Sequence, residues 1–157
     1  MLYYEDLEVG YAYGIRAPTE APFGLHEVTE AAIIRFAGEF DPRPQHLDPV
    51  AARDTTFEGL IASGAHVFAL WTRLALEAAR ASEPIAILAG LGSEFRLPSA
   101  VRPGDRLDLQ VEVIAKRDSA SRPENGIVTM RHVMQNQSGT TVFENAATSL
   151  VDRAPKS

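Results

Sequence analysis

Between residues 105 and 117, in "DRLDLQVEVIAKR", Leu107, Leu109, Val111 and Val113 alternate with Arg106, Asp108, Gln110 and Glu112. A period of two puts the four apolar side chains on one face of a half-buried strand. The stretch "GIVTMRHVMQNQSGTTVFENAATSLVD" predicts two further strands joined across Ser138-Gly139, a hairpin signal. Upstream, "IAILAGLGSEFRL" reads as an apolar strand interrupted by glycines. The first half of the chain runs on a longer period. In "VTEAAIIRFAGEF", Ile33, Ile34, Phe36 and Ala37 form an apolar stripe, Thr29 is placed to cap the helix, and Gly38 with Pro42 and Pro44 ends it. "LDPVAARD" adds one or two helical turns. From Ser63, a natural N-cap, to about Arg80 the chain is rich in helix formers, and Pro84 forbids much continuation. Val67, Phe68, Leu70, Trp71, Leu74 and Leu76 spread over more than one stripe, which predicts a helix covered by something wrapped around it. The opening to about Gly24, with "PTEAP" in its middle, reads as loop around a short strand. A long buried helix followed by an antiparallel meander predicts an α+β domain with the sheet curled over the helix.

Composition narrows the function classes. At 157 residues the chain fits one domain, residues 1–157, with room for a sizeable core. A net charge of −6 argues against a nucleic-acid partner, which would need a basic face. An anionic small molecule stays open, because a few local arginines hold phosphates whatever the net charge. The absence of cysteine excludes disulfides, thiolate metal sites and a Cys nucleophile. "MLYYEDLEVG" lacks a basic-then-apolar leader, and no apolar run approaches a membrane span. The expectation is a cytoplasmic protein with no membrane partner.

One segment carries more than a turn requires. "FAGEFDPRPQHLDPVAA" places Asp41, two prolines, Arg43 and His46 within six residues. Taken alone, it is a helix stop with a solvated Asp and a surface His. The surrounding residues change that. "DPRPQH" sets Asp41 and His46 apart as in the MaoC-like dehydratases, the (R)-specific enoyl-CoA hydratases with a hotdog fold. "LDPVAARDTTFEGLIASG" continues with a matching Phe57 and ends on Gly64, where that family has the glycine that opens its central helix. "EDLEVG" and "LPSAVRPGDRLDLQVEV" also resemble its first segment and its strand after the helix. The chain resembles this family over nearly its whole length. It departs from the pattern at Arg43, where an Asn is usual, at Gln45, where an apolar residue is usual, and at Ser63, where many members have His.

The resemblance implies a single hotdog domain and a hydro-lyase that adds water to a 2-enoyl thioester or removes it from a 3-hydroxyacyl thioester. It assigns general acid–base catalysis to His46, water orientation to Asp41 and oxyanion donation to the backbone N–H of Gly64; Ser63 and Arg43, where the chain departs from the pattern, are weaker substrate-binding candidates. It implies acyl-CoA or an acyl-carrier thioester as substrate, no cofactor and no metal. A homodimer or a dimer of dimers follows, because in this family the sheets of two protomers join with the site at their interface. Elementary chemistry is consistent with these parts. Hydration needs a base for water, an acid for the α-carbon and a donor for the enolate oxygen. Imidazoles exchange protons near neutral pH. A helix-opening N–H without a Cβ beside it suits an oxyanion.

Other readings stay in view. A hotdog thioesterase would use a carboxylate to drive water onto the thioester carbonyl. A non-catalytic acyl-thioester binding subunit is kept alive by Arg43, Gln45 and Ser63. His46 and Asp48 make two metal ligands without a third cluster. His26, His66 and His132 read as structural or solvated, and Phe68 and Trp71 as core. Thr72 reads as packing, with a place along the acyl pocket as its alternative. Arg43, Arg96, Arg102 and Arg117 are candidate phosphate or pantetheine contacts against a default of solvated charges.

Overall fold

The computed structural model describes residues 1–15 and 27–155. "PTEAP" and His26 lie outside the described residues. Five strands form one antiparallel sheet in the order β1-β3-β4-β5-β2: β1 Ala12–Ile15, β2 Ile87–Arg96, β3 Asp108–Asp118, β4 Asn125–Gln135 and β5 Thr141–Asp152. The alternation in β3 places Leu109, Val111 and Val113 in the core at 1% exposure or less, with Leu107 just ahead of them. β4 and β5 meet across a turn in which Gly139 has φ +76°, a conformation glycine adopts without strain. The Asn136 side-chain oxygen accepts from the N–H groups of Ser138 and Thr140 and closes that turn.

Three α-helices, α1 Glu30–Phe40, α2 Pro44–Leu47 and α3 Gly64–Ala81, and two 3-10 turns, Tyr4–Asp6 and Ala51–Asp54, complete the described structure. The Thr29 hydroxyl accepts from Ala32 N–H at 3.1 Å, and the Ser63 hydroxyl from His66 N–H at 3.2 Å, so both caps stand where the sequence puts them. α1 runs through Gly38 to Phe40 and stops at the Asp41 C-cap. α3 lies against the concave face of the sheet. Its Val67, Leu74 and Ala78 share one buried cluster with Val111, Met130, Met134 and Phe143. This is the hotdog arrangement of a curled sheet around a helix.

The covering of α3 is one-sided, which departs from the all-round burial expected from its composition. Phe68, Leu70 and Trp71 are half-buried, and Leu76 is 54% exposed. The reason is the sheet's extent. β2 is its edge strand, and Ile87, Leu88, Leu91 and Phe95 stand exposed on it. On the side of α3 that faces this edge, the Phe95 ring reaches Phe68 at 5.2 Å, while Leu76 further along stays exposed.

At the other end of the meander, Gly126 is a close approach. A Cβ there would meet the Tyr4 ring at 2.0 Å, so the N-terminal segment packs flat on β4 only because that position is glycine. The Tyr4 ring in turn lies 4.6 Å from both Lys116 Nζ and the Arg153 guanidinium.

Candidate active site

The Asp41–His46 segment is not a loop after a helix but two helix ends set at an angle. Asp41 ends α1, its N–H donating to Ala37 O at 2.9 Å. Arg43 then caps α2, and Pro44 occupies its first turn, where a fixed φ fits the helix and a missing N–H costs nothing. His46 therefore sits inside a helical turn and is buried at 4% exposure. The turn is tied to the segment before α3, because Ile61 N–H donates to Gln45 O at 3.0 Å.

That segment sets the tautomer of His46. Its Nδ1 lies 2.9 Å from Ile61 O. A carbonyl only accepts, so Nδ1 carries the proton and Nε2 keeps its lone pair. Nε2 lies 3.7 Å from Asp41 Oδ2. Asp41 is also gripped by Arg43, whose Nε and Nη2 each reach one carboxylate oxygen at 2.6 Å. The guanidinium hydrogen bonds, with the Arg43 charge and, when the imidazole is protonated, the His46 charge adding to them, hold the Asp41 carboxyl below its ordinary range against the opposing effect of burial. A carboxylate has about four lone-pair sites. The fork uses two, which leaves Asp41 able to accept from a water.

A cleft of about 360 Å³ opens beside His46, and Asp41, 3.7 Å behind its Nε2, is not among the residues that line it. His46, Gln45 and Arg43 line one side, Ile61, Ala62 and Gly64 the floor, and Leu97 to Val101 the far wall. Phe57 stands at the mouth, 41% exposed. Gly64 begins α3, so its N–H belongs to the first turn and has no acceptor within the helix. A Cβ on it would meet Leu97 Cδ1 at 3.1 Å. Ser63 is 1% exposed and spends its hydroxyl on the His66 N–H, so it shapes the helix end without lining the cleft.

The remaining sequence candidates separate. Asp48 Oδ1 accepts from Val50 and Ala51 N–H and starts the 3-10 turn at Ala51–Asp54. Arg102 donates to Phe57 O at 2.8 Å and pins the loop at the mouth. Arg117 lies on β3 with its Nη1 3.5 Å from Asp118 O, and Arg96 ends β2. His66 stacks on Phe36 at 4.6 Å with planes 5° apart, and burial lowers its pKa, with Arg35 adding to the effect. Trp71 stands at 5.3 Å, edge-on, from His132. Thr72 Oγ1 donates to Phe68 O, and its side chain borders a second, larger groove beyond the cleft.

Sequence reasoning missed the Ile61 carbonyl and Leu97. Neither has a residue-type signal. The carbonyl is backbone, and Leu97 reaches Gly64 only because β2 turns back past the start of α3. The left-handed Glu58, at φ +54°, was also silent in the sequence, and it sets the bend that carries Phe57 to the mouth.

The comparisons with known proteins agree with this fold. Residues 17–136 match the family model for the MaoC like domain. The chain belongs to that family, whose members include hydratases and dehydratases. It is similar to the MaoC-like dehydratase of Rhodospirillum rubrum, with 41% identity, a TM-score of 0.86 and coverage of 99% of this chain and 100% of that one. It resembles the R-hydratase PhaJ1 of Pseudomonas aeruginosa at 28% identity and a TM-score of 0.67, over 97% of this chain and 86% of that one. YdeM of Bacillus subtilis (strain 168), an uncharacterized protein, is 35% identical over 128 residues, 81% of this chain and 88% of its own. No helix among the described residues is long and apolar enough to cross a membrane.

Proposed function

We propose that the protein hydrates 2-enoyl thioesters to (R)-3-hydroxyacyl thioesters, or runs the reverse dehydration, on acyl-CoA or an acyl-carrier thioester. The observation that carries this reading is His46. It is a buried imidazole with Nδ1 committed to Ile61 O and Nε2 free, beside Asp41 and in the same cleft as the opening N–H of α3.

The chemistry follows from those positions. The thioester oxygen takes the Gly64 N–H, at the positive end of an 18-residue helix. Water between Asp41 and His46 gives a proton to Nε2 and its oxygen bonds to C3. The C2–C3 π pair moves toward the thioester as an enolate, whose charge the Gly64 N–H holds. Nε2–H then returns the proton to C2. One water has been added, and the imidazole is regenerated in its starting tautomer. Dehydration is the same path reversed.

A second copy of the chain belongs to this reading. β2 offers an unpaired backbone edge and exposed apolar side chains, the surface that joining two sheets would cover. The thioesterase alternative is disfavoured because the Arg43 fork holds the Asp41 carboxyl below its ordinary range, which makes it a weak base toward water.

The test is purified protein with crotonyl-CoA, following the enoyl-thioester absorbance and free thiol in parallel. Chromophore loss without thiol is the expected result, with loss of about a hundredfold or more in His46→Ala, the scale of general acid–base catalysis. Thiol release, or near-normal turnover in both His46→Ala and Asp41→Ala, would overturn the assignment.

A further inference from the structure

We infer that an aromatic wall made by Phe68 and Phe95 stands behind Val67 and Leu97 at the inner end of the cleft, so that the enzyme selects short acyl chains. The inference rests on the reading of the cleft as the thioester site and names the substrate class it takes.

Two hollows lie along the same side of α3. The cleft beside His46 ends inward at Val67 and Leu97, and a separate groove of about 540 Å³ begins at Trp71 and Ser93. Phe68 lies between Val67 and Trp71 on the helix, and Phe95 lies between Ser93 and Leu97 on β2. Neither lines either hollow. Their rings meet at 5.2 Å. Phe143 backs both, 6.2 Å from Phe68 and 5.6 Å from Phe95, and Trp71 closes the cluster at 4.9 Å from Phe68. The partition is thus a packed set of rings, not one mobile side chain.

Its distance from the chemistry sets the selection. Phe68 is four residues after Gly64, one helical turn along the same face. One turn rises about 5.4 Å, which a chain only a few methylenes past the reacting carbons would span. The mouth holds Arg43 and Phe57, both exposed, while the inner end holds buried Val67, so the acyl chain points toward the wall. A longer chain must displace stacked rings, and overfilling a packed site is costly. Discrimination per methylene in an apolar pocket runs about 10- to 200-fold.

The experiment compares crotonyl-, hexenoyl-, octenoyl- and dodecenoyl-CoA on the full chain, as wild type, Phe95→Ala and Phe68→Leu. Phe95 is 45% exposed, which makes its truncation the milder change. Wild type is expected to lose at least about tenfold in kcat/KM between crotonyl and octenoyl substrates. Phe95→Ala and Phe68→Leu should each raise the octenoyl-to-crotonyl ratio by about tenfold. A flat wild-type profile, or variants that lower all four substrates together, would overturn the wall. Calorimetric binding of butyryl- and octanoyl-CoA reads the same wall without turnover. Preference for butyryl-CoA that reverses in Phe95→Ala upholds it even if hydration fails, and equal binding of both refutes it.

Discussion

Asp41 is held ionised by a guanidinium from its own turn, and that contact has a measurable sign. A carboxyl whose pKa is lowered keeps its charge further into acid, so activity that needs the carboxylate persists there. Removing the fork in Arg43→Met raises the Asp41 pKa, and the acid limb of the kcat/KM profile should move to higher pH. An unmoved limb would separate Arg43 from the ionisation of Asp41. Gly64 makes a second claim at this scale. Ala at a helix's first position folds readily, and Gly→Ala at a compatible site stabilises by about 0.4–1 kcal/mol. Its methyl would point toward Leu97 Cδ1, 3.1 Å away, into the space assigned to the thioester. Gly64→Ala should keep its urea midpoint or raise it while kcat/KM falls by about tenfold or more, the scale of a displaced oxyanion donor. Unchanged activity would place the oxyanion elsewhere. The Asp41 and His46 pair was legible because both lie within one turn of chain and their spacing is a motif. The carbonyl that orients His46 was not, since backbone from fifteen residues later supplies it.

In the sheet, legibility followed burial. β3 alternates because one face meets the core and the other meets solvent, and that difference is written in residue type. β4 hides a polar exception on its inward face. His132 is 6% exposed opposite Asn145, its Nδ1 has no partner, and the Trp71 ring stands edge-on to it. The sequence placed it in a strand as structural or solvated; the structure puts it inside. Burial pushes its pKa down to about 4, and hydrogen bonds to the Met130 and Asn145 backbone oppose that only in part. The unfolded chain's imidazole protonates near pH 6.5. Above that pH neither state binds the proton and the stability is fully present. As pH falls from about 6.5 toward about 4 the unfolded state takes up the proton first, so stability is lost. By linkage the loss at pH 5 is about 2 kcal/mol relative to pH 7. Urea unfolding at the two pH values checks this. His132→Phe, which keeps an aromatic ring beside Trp71, should abolish that part of the slope. A variant with the wild-type slope would assign the acid sensitivity to other groups.

On the scale of the molecule, the gap between expectation and structure is itself informative. The composition of α3 predicted apolar contact on nearly every side, yet the sheet and α1 cover only part of it and leave Leu76 54% exposed. Soluble monomers commonly blunt a sheet edge with charge, proline or a covering element. β2 carries Glu94 and Arg96 only at its far end, and Leu88 and Leu91 stand 52% and 53% exposed in its first half. Among the described residues, no strand pairs with its second edge. The unmet apolar side of α3 and the unpaired edge of β2 border the same groove, so one covering body would satisfy both. A second copy paired β2 to β2 would be such a body. Sedimentation velocity should therefore show a species of twice the chain's mass at micromolar concentration. Leu88→Lys with Leu91→Lys, which places like charges across the paired edge, should shift that species toward monomer and lower turnover with it, because the wall containing Phe95 loses its cover. A monomeric wild type with full activity would show that α3 works half-uncovered and that the apolar edge of β2 serves another end.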